Sequence, residues 1–258
     1  MNRRKFLASS CVAGLTAIVP TAIAGQSDER EYYELRKYLL DTEQQKDRME
    51  TFIRDAAIPA YNRIGIDKVG VFYPNEGDIS PLYVLLVHKS LESFASARSK
   101  LLADEEFLSK GSDVFDTPSS NPAYRRVESQ LMMAFEKMPK LEVPVTVETR
   151  IFQLRKYESH SIKAGQKKIE MFNVGEIEIF RKTGMNPVFF GESLIDSVLP
   201  NLTYMLSAED MEQSRASWST FMRDPDWQSL RSTPGYSDRE IVSNITNLYL
   251  KPAAYSQI

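Results

Sequence analysis

From Tyr32 to Leu40 the chain alternates. Tyr33 and Leu35 fall on one side of an extended backbone, and Glu34, Arg36 and Tyr38 on the other, the period of two that a β-strand imposes. Between Met49 and Ile64 the period changes. Met49, Phe52, Ile53, Ala56, Ala57, Ala60, Tyr61 and Ile64 recur three and four apart, which predicts one apolar face of an amphipathic helix. Pro59 should bend or end its last turns, and Gly65 should stop it. Lys68 to Tyr73 and Leu82 to Val87 read as strands joined across a Pro-Asn-Glu-Gly turn; the second is apolar throughout, as a strand covered on both faces must be. Ser90 then caps a helix reaching about Leu102. In Val127 to Glu136 two signals conflict: the composition favours a helix, but Val127, Leu131, Met133 and Phe135 alternate with Glu128, Gln130 and Glu136. The alternation predicts a strand, and the unit reads strand, helix, strand, strand, helix, strand.

That unit is written twice. Tyr33-Glu34-Leu35-Arg36-Lys37-Tyr38 returns 119 positions later as Phe152-Gln153-Leu154-Arg155-Lys156-Tyr157. The echo continues: Gln45-Lys46 with Gln166-Lys167, Gly65 with Gly184, Leu91-Glu92 with Met211-Glu212, and Asp104 to Phe107 with Asp224 to Trp227. A match sustained at nearly constant offset implies two copies of one structural unit. The boundaries expected are a first unit over 32–138, a linker with two prolines over 139–146, and a second unit over 147–258. The βαββαβ order is the ferredoxin-like plan, an α+β fold with both helices on one face of a four-stranded antiparallel sheet. The uncovered face of each sheet needs cover, and the other copy can supply it. The fold class expected is therefore two tandem ferredoxin-like units packed sheet to sheet, a dimeric α+β barrel fused into one chain.

The first 31 residues fall outside this pattern. Asn2-Arg3-Arg4-Lys5-Phe6-Leu7 precedes a run of small and apolar residues from Ala8 to Val19, and Ala22-Ile23-Ala24 offers a cleavage point before Gly25. Residues 1–24 look like an export signal of the twin-arginine type, with 25–31 as a short tail. The location implied is periplasmic or extracellular, in a bacterial cell. The apolar run is short of the ~20 residues a membrane-spanning helix needs, and no later segment is apolar enough to span. Cys11 lies inside the signal, so the mature chain has no cysteine, which excludes disulfides, thiol catalysis and Cys-based metal centres. Losing Arg3, Arg4 and Lys5 takes the formal charge from -3 to -6. No basic stripe remains to recognise nucleic acid.

The doubled phrase, the strand Pro187-Val188-Phe189-Phe190-Gly191-Glu192, and Trp218 followed by Asp224-Pro225-Asp226-Trp227 together resemble the NIPSNAP family. The resemblance spans essentially the whole mature chain. It implies the α+β barrel and little about chemistry, because the family is defined by its domain and not by a reaction. The function expected is therefore an exported protein of unassigned activity that binds a small molecule or partner between its sheets. The alternative is a small-molecule enzyme of the barrel type, monooxygenase-like or isomerase-like.

The alternation also nominates residues. Tyr33 and Leu35, with Phe152 and Leu154, should pack under the helices. Glu34, Arg36 and Tyr38, with Gln153, Arg155 and Tyr157, should then point into the space between the sheets. An unpaired arginine there would cost several kcal/mol. Its acceptor is either a ligand carboxylate, phosphate or enolate, or the neighbouring Glu34. The one asymmetry of the phrase, Glu34 against Gln153, means that a carboxylate role can be filled only once. His88 and His160, the two histidines, are candidates for a general base or a haem ligand, although neither recurs in the other copy. No metal or other cofactor is expected, haem being the one that barrels of this shape admit. Phe189, Phe190, Trp218, Phe221, Trp227, Met132 and Met133 either line a pocket or form core, and core is the commoner use of such spacing. A further homodimer is compatible with everything above.

Overall fold

The computed structural model describes residues 30–77, 80–145 and 149–258; the predicted export signal lies outside them, as do three residues at the predicted junction of linker and second unit. The first copy contributes strands β1 (Tyr32–Leu39), β2 (Val69–Pro74), β3 (Leu82–His88) and β4 (Arg126–Ala134), the second β5 (Ile151–Glu158), β6 (Asn186–Ile195), β7 (Asn201–Ala208) and β8 (Asn244–Pro252). They close into one antiparallel barrel in the order β1-β3-β2-β8-β5-β7-β6-β4. Each copy keeps its four strands adjacent, and the copies meet at two seams. One seam pairs β2 with β8 through Phe72 and Pro252, Tyr73 and Lys251, and Pro74 and Leu250. The other pairs β4 with β6 from Leu131 to Ala134. The first seam is lengthened by the chain after β8: Ala253 N donates to Val71 O (2.8 Å), Gln257 N to Val69 O (2.9 Å), and Val71 N to Ser256 Oγ (3.0 Å).

Helices cover the outside. In the first copy these are α1 (Glu43–Phe52), α2 (Ile58–Arg63), α3 (Leu91–Leu102), α4 (Glu105–Lys110) and α5 (Ser112–Phe115); in the second, α6 (Ile162–Met171), α7 (Ile177–Lys182), α8 (Met211–Arg223), α9 (Pro225–Arg231) and α10 (Asp238–Ile241). The expected helix from Met49 to Ile64 starts earlier, where Thr42 Oγ1 accepts from Gln45 N (3.1 Å). It is also interrupted by a wide five-residue π turn, Ile53–Ala57, before Pro59 enters the first turn of α2. The second copy repeats the device at Phe172–Glu176. Both helical runs end where Gly65 and Gly184 take positive φ, 86° and 79°, a conformation that glycine adopts without a Cβ penalty. Ser90, Asp104 and Asp224 cap α3, α4 and α9 through backbone N–H groups of the first turn, as their positions in the sequence indicated. Residues 126–134 form strand β4, so alternation overrode helix propensity there.

The direction of the two strand faces is the reverse of expectation. Tyr33, Leu35, Phe152 and Leu154 are buried inside the barrel with Phe72, Leu85, Met132, Phe189, Met205 and Leu250. Glu34, Arg36 and Tyr38 lie under the helices of their own copy, as do Gln153, Arg155 and Tyr157, where Arg36 meets Tyr61 of α2 and Gln153 meets Trp218 of α8. The reason is geometric. An eight-stranded barrel is just wide enough for its interior side chains to fill it, so the space between the sheets is the driest and most crowded layer and takes the apolar set. Polar groups do better under the helices, where Tyr61, Ser129, Trp218 and Asn247 supply partners. Of the aromatic set, Phe189 and Met132 are barrel core, whereas Phe190, Phe221 and Trp227 are core between helices and sheet, with Trp218 packed against them.

The two ends of the barrel differ. At one, Leu141 of the linker and Ile258 join the interior core, and Glu31 accepts from Leu141 N (2.6 Å) while Lys68 Nζ donates to Leu141 O (3.0 Å). This end is plugged by chain. The opposite end, where β1 and β5 finish and β4 and β8 begin, has no such plug among the described residues.

Candidate functional site

Three polar assemblies stand out, two of them related by the repeat. Under the helices of the first copy, Arg36 donates to both oxygens of Glu34 (Nε to Oε1, 2.7 Å; Nη2 to Oε2, 3.0 Å) and to Tyr61 Oη (2.6 Å). Ser129 Oγ donates to Glu34 Oε1 (3.0 Å), and His88 Nε2 lies 3.5 Å from Oε2. Burial alone would raise the Glu34 carboxyl. The His88 ring, the Arg36 charge and the Arg36 and Ser129 hydrogen bonds overcome that and hold it down at about 2. Tyr38 packs edge-on against Tyr124 beside this cluster. His88 is fully buried; its Nδ1 is 3.3 Å from Ser93 Oγ and Phe94 meets its ring at a right angle.

The second copy is rewired because Gln153 replaces Glu34. Trp218 Nε1 donates to Gln153 Oε1 (2.6 Å), and Gln153 Nε2 donates to Asn247 Oδ1 (2.7 Å). Arg155 therefore has no carboxylate at that position. Its guanidinium stacks over Trp218 (4.7 Å to the ring centre), Nη2 donates to Tyr157 Oη (3.0 Å), and Nε is buried without a hydrogen-bond partner. Tyr157 Oη in turn lies 3.1 Å from Tyr204 Oη. Beneath them is a buried ion pair, Lys168 Nζ to Glu176 Oε2 at 3.1 Å, with Asp238 at the same distance on its outer side. Burial pushes the Glu176 carboxyl up against the pull of Lys168. At the matching positions, 119 residues earlier, the first copy has Met49 and Ala57.

Neither assembly surrounds a cavity of ligand size. The space beside Gln153, Trp218 and Tyr249 has room for a water-sized probe and no more, about 10 Å³. His88 presents no ring nitrogen to a space that a porphyrin could occupy, and His160 is exposed in the loop before α6. The histidines are not brought together, and no group of three or more metal-ligating side chains forms among the described residues.

The third assembly is the unplugged end of the barrel. There the two copies enclose a cavity of about 300 Å³. Leu35, Leu154 and Leu248 line it with Gln130; two residues further along the same strands, Lys37, Lys156 and Thr246 line it with Tyr83, Glu128 and Thr203. Burial and the charge of Glu128 raise the Tyr83 phenol to about 12, so it stays protonated at neutral pH. Lys37 Nζ donates to Glu128 Oε2 (3.2 Å) and Lys156 Nζ to Asp196 Oδ2 (2.5 Å). Asp196 is fixed further by Asn201 Nδ2 (2.9 Å) and Ser197 N (2.6 Å). Gln130 spends its amide nitrogen on Ser193 Oγ (2.6 Å), Thr203 Oγ1 (2.9 Å) and Asn201 Oδ1 (3.2 Å). The sequence reading singled out none of the cavity's charged groups. A signal existed: Lys37 and Lys156 are the lysines of the doubled phrase, and they share strand parity with Leu35 and Leu154.

Fold and site together define a fused dimeric α+β barrel with a cavity between its two sheets. The chain matches the NIPSNAP family twice, over residues 33–135 and 152–257, and belongs to that family. Among solved structures it is similar over 87% of its length, and 94% of the other chain, to a "putative monooxygenase" from Lactobacillus acidophilus NCFM, with a TM-score of 0.54 at 10% identity. A second "putative monooxygenase", from Fusobacterium nucleatum, matches 86% of this chain and 92% of its own, with a TM-score of 0.53 at 6% identity. An uncharacterized NIPSNAP-like domain protein from Burkholderia xenovorans matches 43% of this chain and 90% of its own length, with a TM-score of 0.38 at 18% identity. No curated protein matches. At such identities the first two structures speak for the fold and not for an activity. No helix among the described residues is long and apolar enough to cross a membrane.

Proposed function

We propose that this NIPSNAP-family chain is exported and binds a small molecule between its two sheets, in the open mouth of the barrel. One observation carries the reading: the barrel interior is packed at its centre and plugged at one end, yet keeps about 300 Å³ at the other, lined from both copies. Close packing is the rule in protein interiors, and a space of this size falls at the lower end of ligand pockets. Monooxygenase-like chemistry, the description carried by two neighbours, has a weaker foothold, because the buried imidazole of His88 opens on no cavity. Export rests on the signal in residues 1–24, with Gly25 as the first mature residue.

Native mass spectrometry of the protein recovered from the exported fraction of a bacterial host tests both parts. The expected mass begins at Gly25 and includes an adduct that Leu154→Trp, which fills the cavity, removes. A chain retaining residues 1–24 in the cytoplasm would overturn export. An adduct unaffected by Leu154→Trp, or ligand-free protein that takes up no member of a metabolite library, would overturn the binding site.

A further inference from the structure

We infer that the mouth cavity accepts a small amphipathic cation, a molecule with an apolar body and one protonated amine or guanidinium head. The inference rests on the proposal that this cavity is the binding site. Its capacity matches about ten water molecules at roughly 30 Å³ each, which limits the body to a short chain or a single substituted ring.

Strand geometry gives the lining three tiers. Inward-facing positions recur every second residue, about 7 Å apart along a strand, so β5 presents Leu154, then Lys156, then Glu158 toward the opening. The deepest tier is largely apolar: Leu35 and Leu154 are almost wholly buried, and Leu248 pairs with Leu154. Gln130, beside Leu35, spends its amide nitrogen on Ser193, Thr203 and Asn201. The middle tier holds Lys37 with Tyr83 and Glu128, and Lys156 with Thr203 and Thr246. Glu158 stands at the rim. Desolvating a charge against the leucines would be costly. An apolar body therefore belongs at the bottom and a charged head near the rim, two strand steps or ~14 Å above.

The sign of the head follows from the charge count. Three carboxylates line the cavity, Glu128, Glu158 and Asp196, against two lysines, Lys37 and Lys156. Each lysine is matched to one carboxylate, Lys37 to Glu128 (3.2 Å) and Lys156 to Asp196 (2.5 Å). Glu158 is left over. Asn244 Nδ2 donates to its Oε1 (3.0 Å), and among the described residues no cation pairs with it. Its Oε2 is open to a ligand, and so, one tier lower, is Glu128 Oε1. A bound cation brings the site to three charges of each sign, whereas a bound anion would set four negative charges against two positive. The spare N–H groups of the lysines do not reverse this. Lys37 and Lys156 are 37% and 25% exposed, so water reaches them. At the position matching Glu158, 119 residues earlier, the first copy has Leu39, and the anchor is made once.

Isothermal titration with octylamine, octanoate and 1-octanol at neutral pH reads the head group while holding the body constant. Octylamine is expected to bind most tightly. Glu158→Gln keeps an acceptor for Asn244 and removes the charge. It should weaken octylamine about tenfold, the loss expected for one hydrogen bond to a charged group, and leave 1-octanol unchanged. Leu154→Trp should abolish both. Octanoate binding as tightly as octylamine, octylamine indifferent to Glu158→Gln, or no binding of octylamine at millimolar concentration would each overturn the cation inference. The cavity reading survives those results, and falls instead if whichever of the three compounds binds is unaffected by Leu154→Trp.

Discussion

Glu34 illustrates what one residue can decide in a duplicated chain. In the first copy its carboxylate neutralises Arg36 in a buried bidentate pair; in the second, Gln153 cannot, and Arg155 turns to the face of Trp218. The pair has a pH signature. The carboxyl is held at about 2 against an ordinary 4.5, so its contribution is complete above pH 4.5 and is lost as pH falls through 2. A shift of that size corresponds to about 3 kcal/mol. Glu34→Gln leaves Arg36 buried without its carboxylate and is expected to destabilise by about 3–5 kcal/mol at pH 7. Because the wild type loses the same stabilisation in acid, the two proteins should converge. Urea unfolding at steps between pH 7 and pH 2 checks this, and a stability difference that does not change over that range would contradict the assignment.

At the scale of elements, the repeated π turns show the same scaffold finished in two ways. The turn Ile53–Ala57 sits over apolar Met49 and Ala57, whereas Phe172–Glu176 carries the buried Lys168–Glu176 pair. Removing one partner strands the other charge, so Lys168→Met alone is expected to cost about 3–5 kcal/mol. Lys168→Met with Glu176→Leu replaces the pair by apolar volume, as the first copy already does, and should recover most of that loss. Unfolding free energies of the two variants decide the point: a double variant as unstable as the single one would mean that the pair holds the turn in place. Elements were largely legible in the sequence, since the 119-residue echo, the alternation of β1 and β5 and the caps at Ser90, Asp104 and Asp224 are all local signals. The π turns were not, because Met49 to Ile64 keeps a helical spacing straight through the widened turn. The facing of the strands was not legible either. A period of two separates Leu35 from Arg36 but does not say which set faces the helices when both faces of a sheet are buried. That ambiguity hid the candidate site: Lys37 and Lys156 were in plain view within the doubled phrase, but only a closed barrel with one plugged end makes their level a cavity.

For the whole molecule, the consequence of closure is that the two copies share one core. The interior cluster draws Tyr33, Phe72, Leu85 and Met132 from the first copy and Phe152, Phe189, Met205 and Leu250 from the second. Separated, each copy would expose its half of that cluster along with the edge strands β2 and β4, or β6 and β8, and would gain unpaired backbone groups at each edge. The chain connection is dispensable by the same reasoning: Leu141 and Ile258 lie in the shared interior, and the seams are made by backbone pairing and apolar contact, not by the linker's continuity. Cleavage at a protease site placed in the exposed segment around Val143 and Val145 should therefore leave a complex that elutes at the intact size and still unfolds in one transition. Its midpoint should fall on dilution, because unfolding now releases two chains. Recovery of two folded monomers after cleavage, or two unfolding transitions independent of concentration, would show that the copies are separate domains and that the cavity between them is not a fixed part of the molecule.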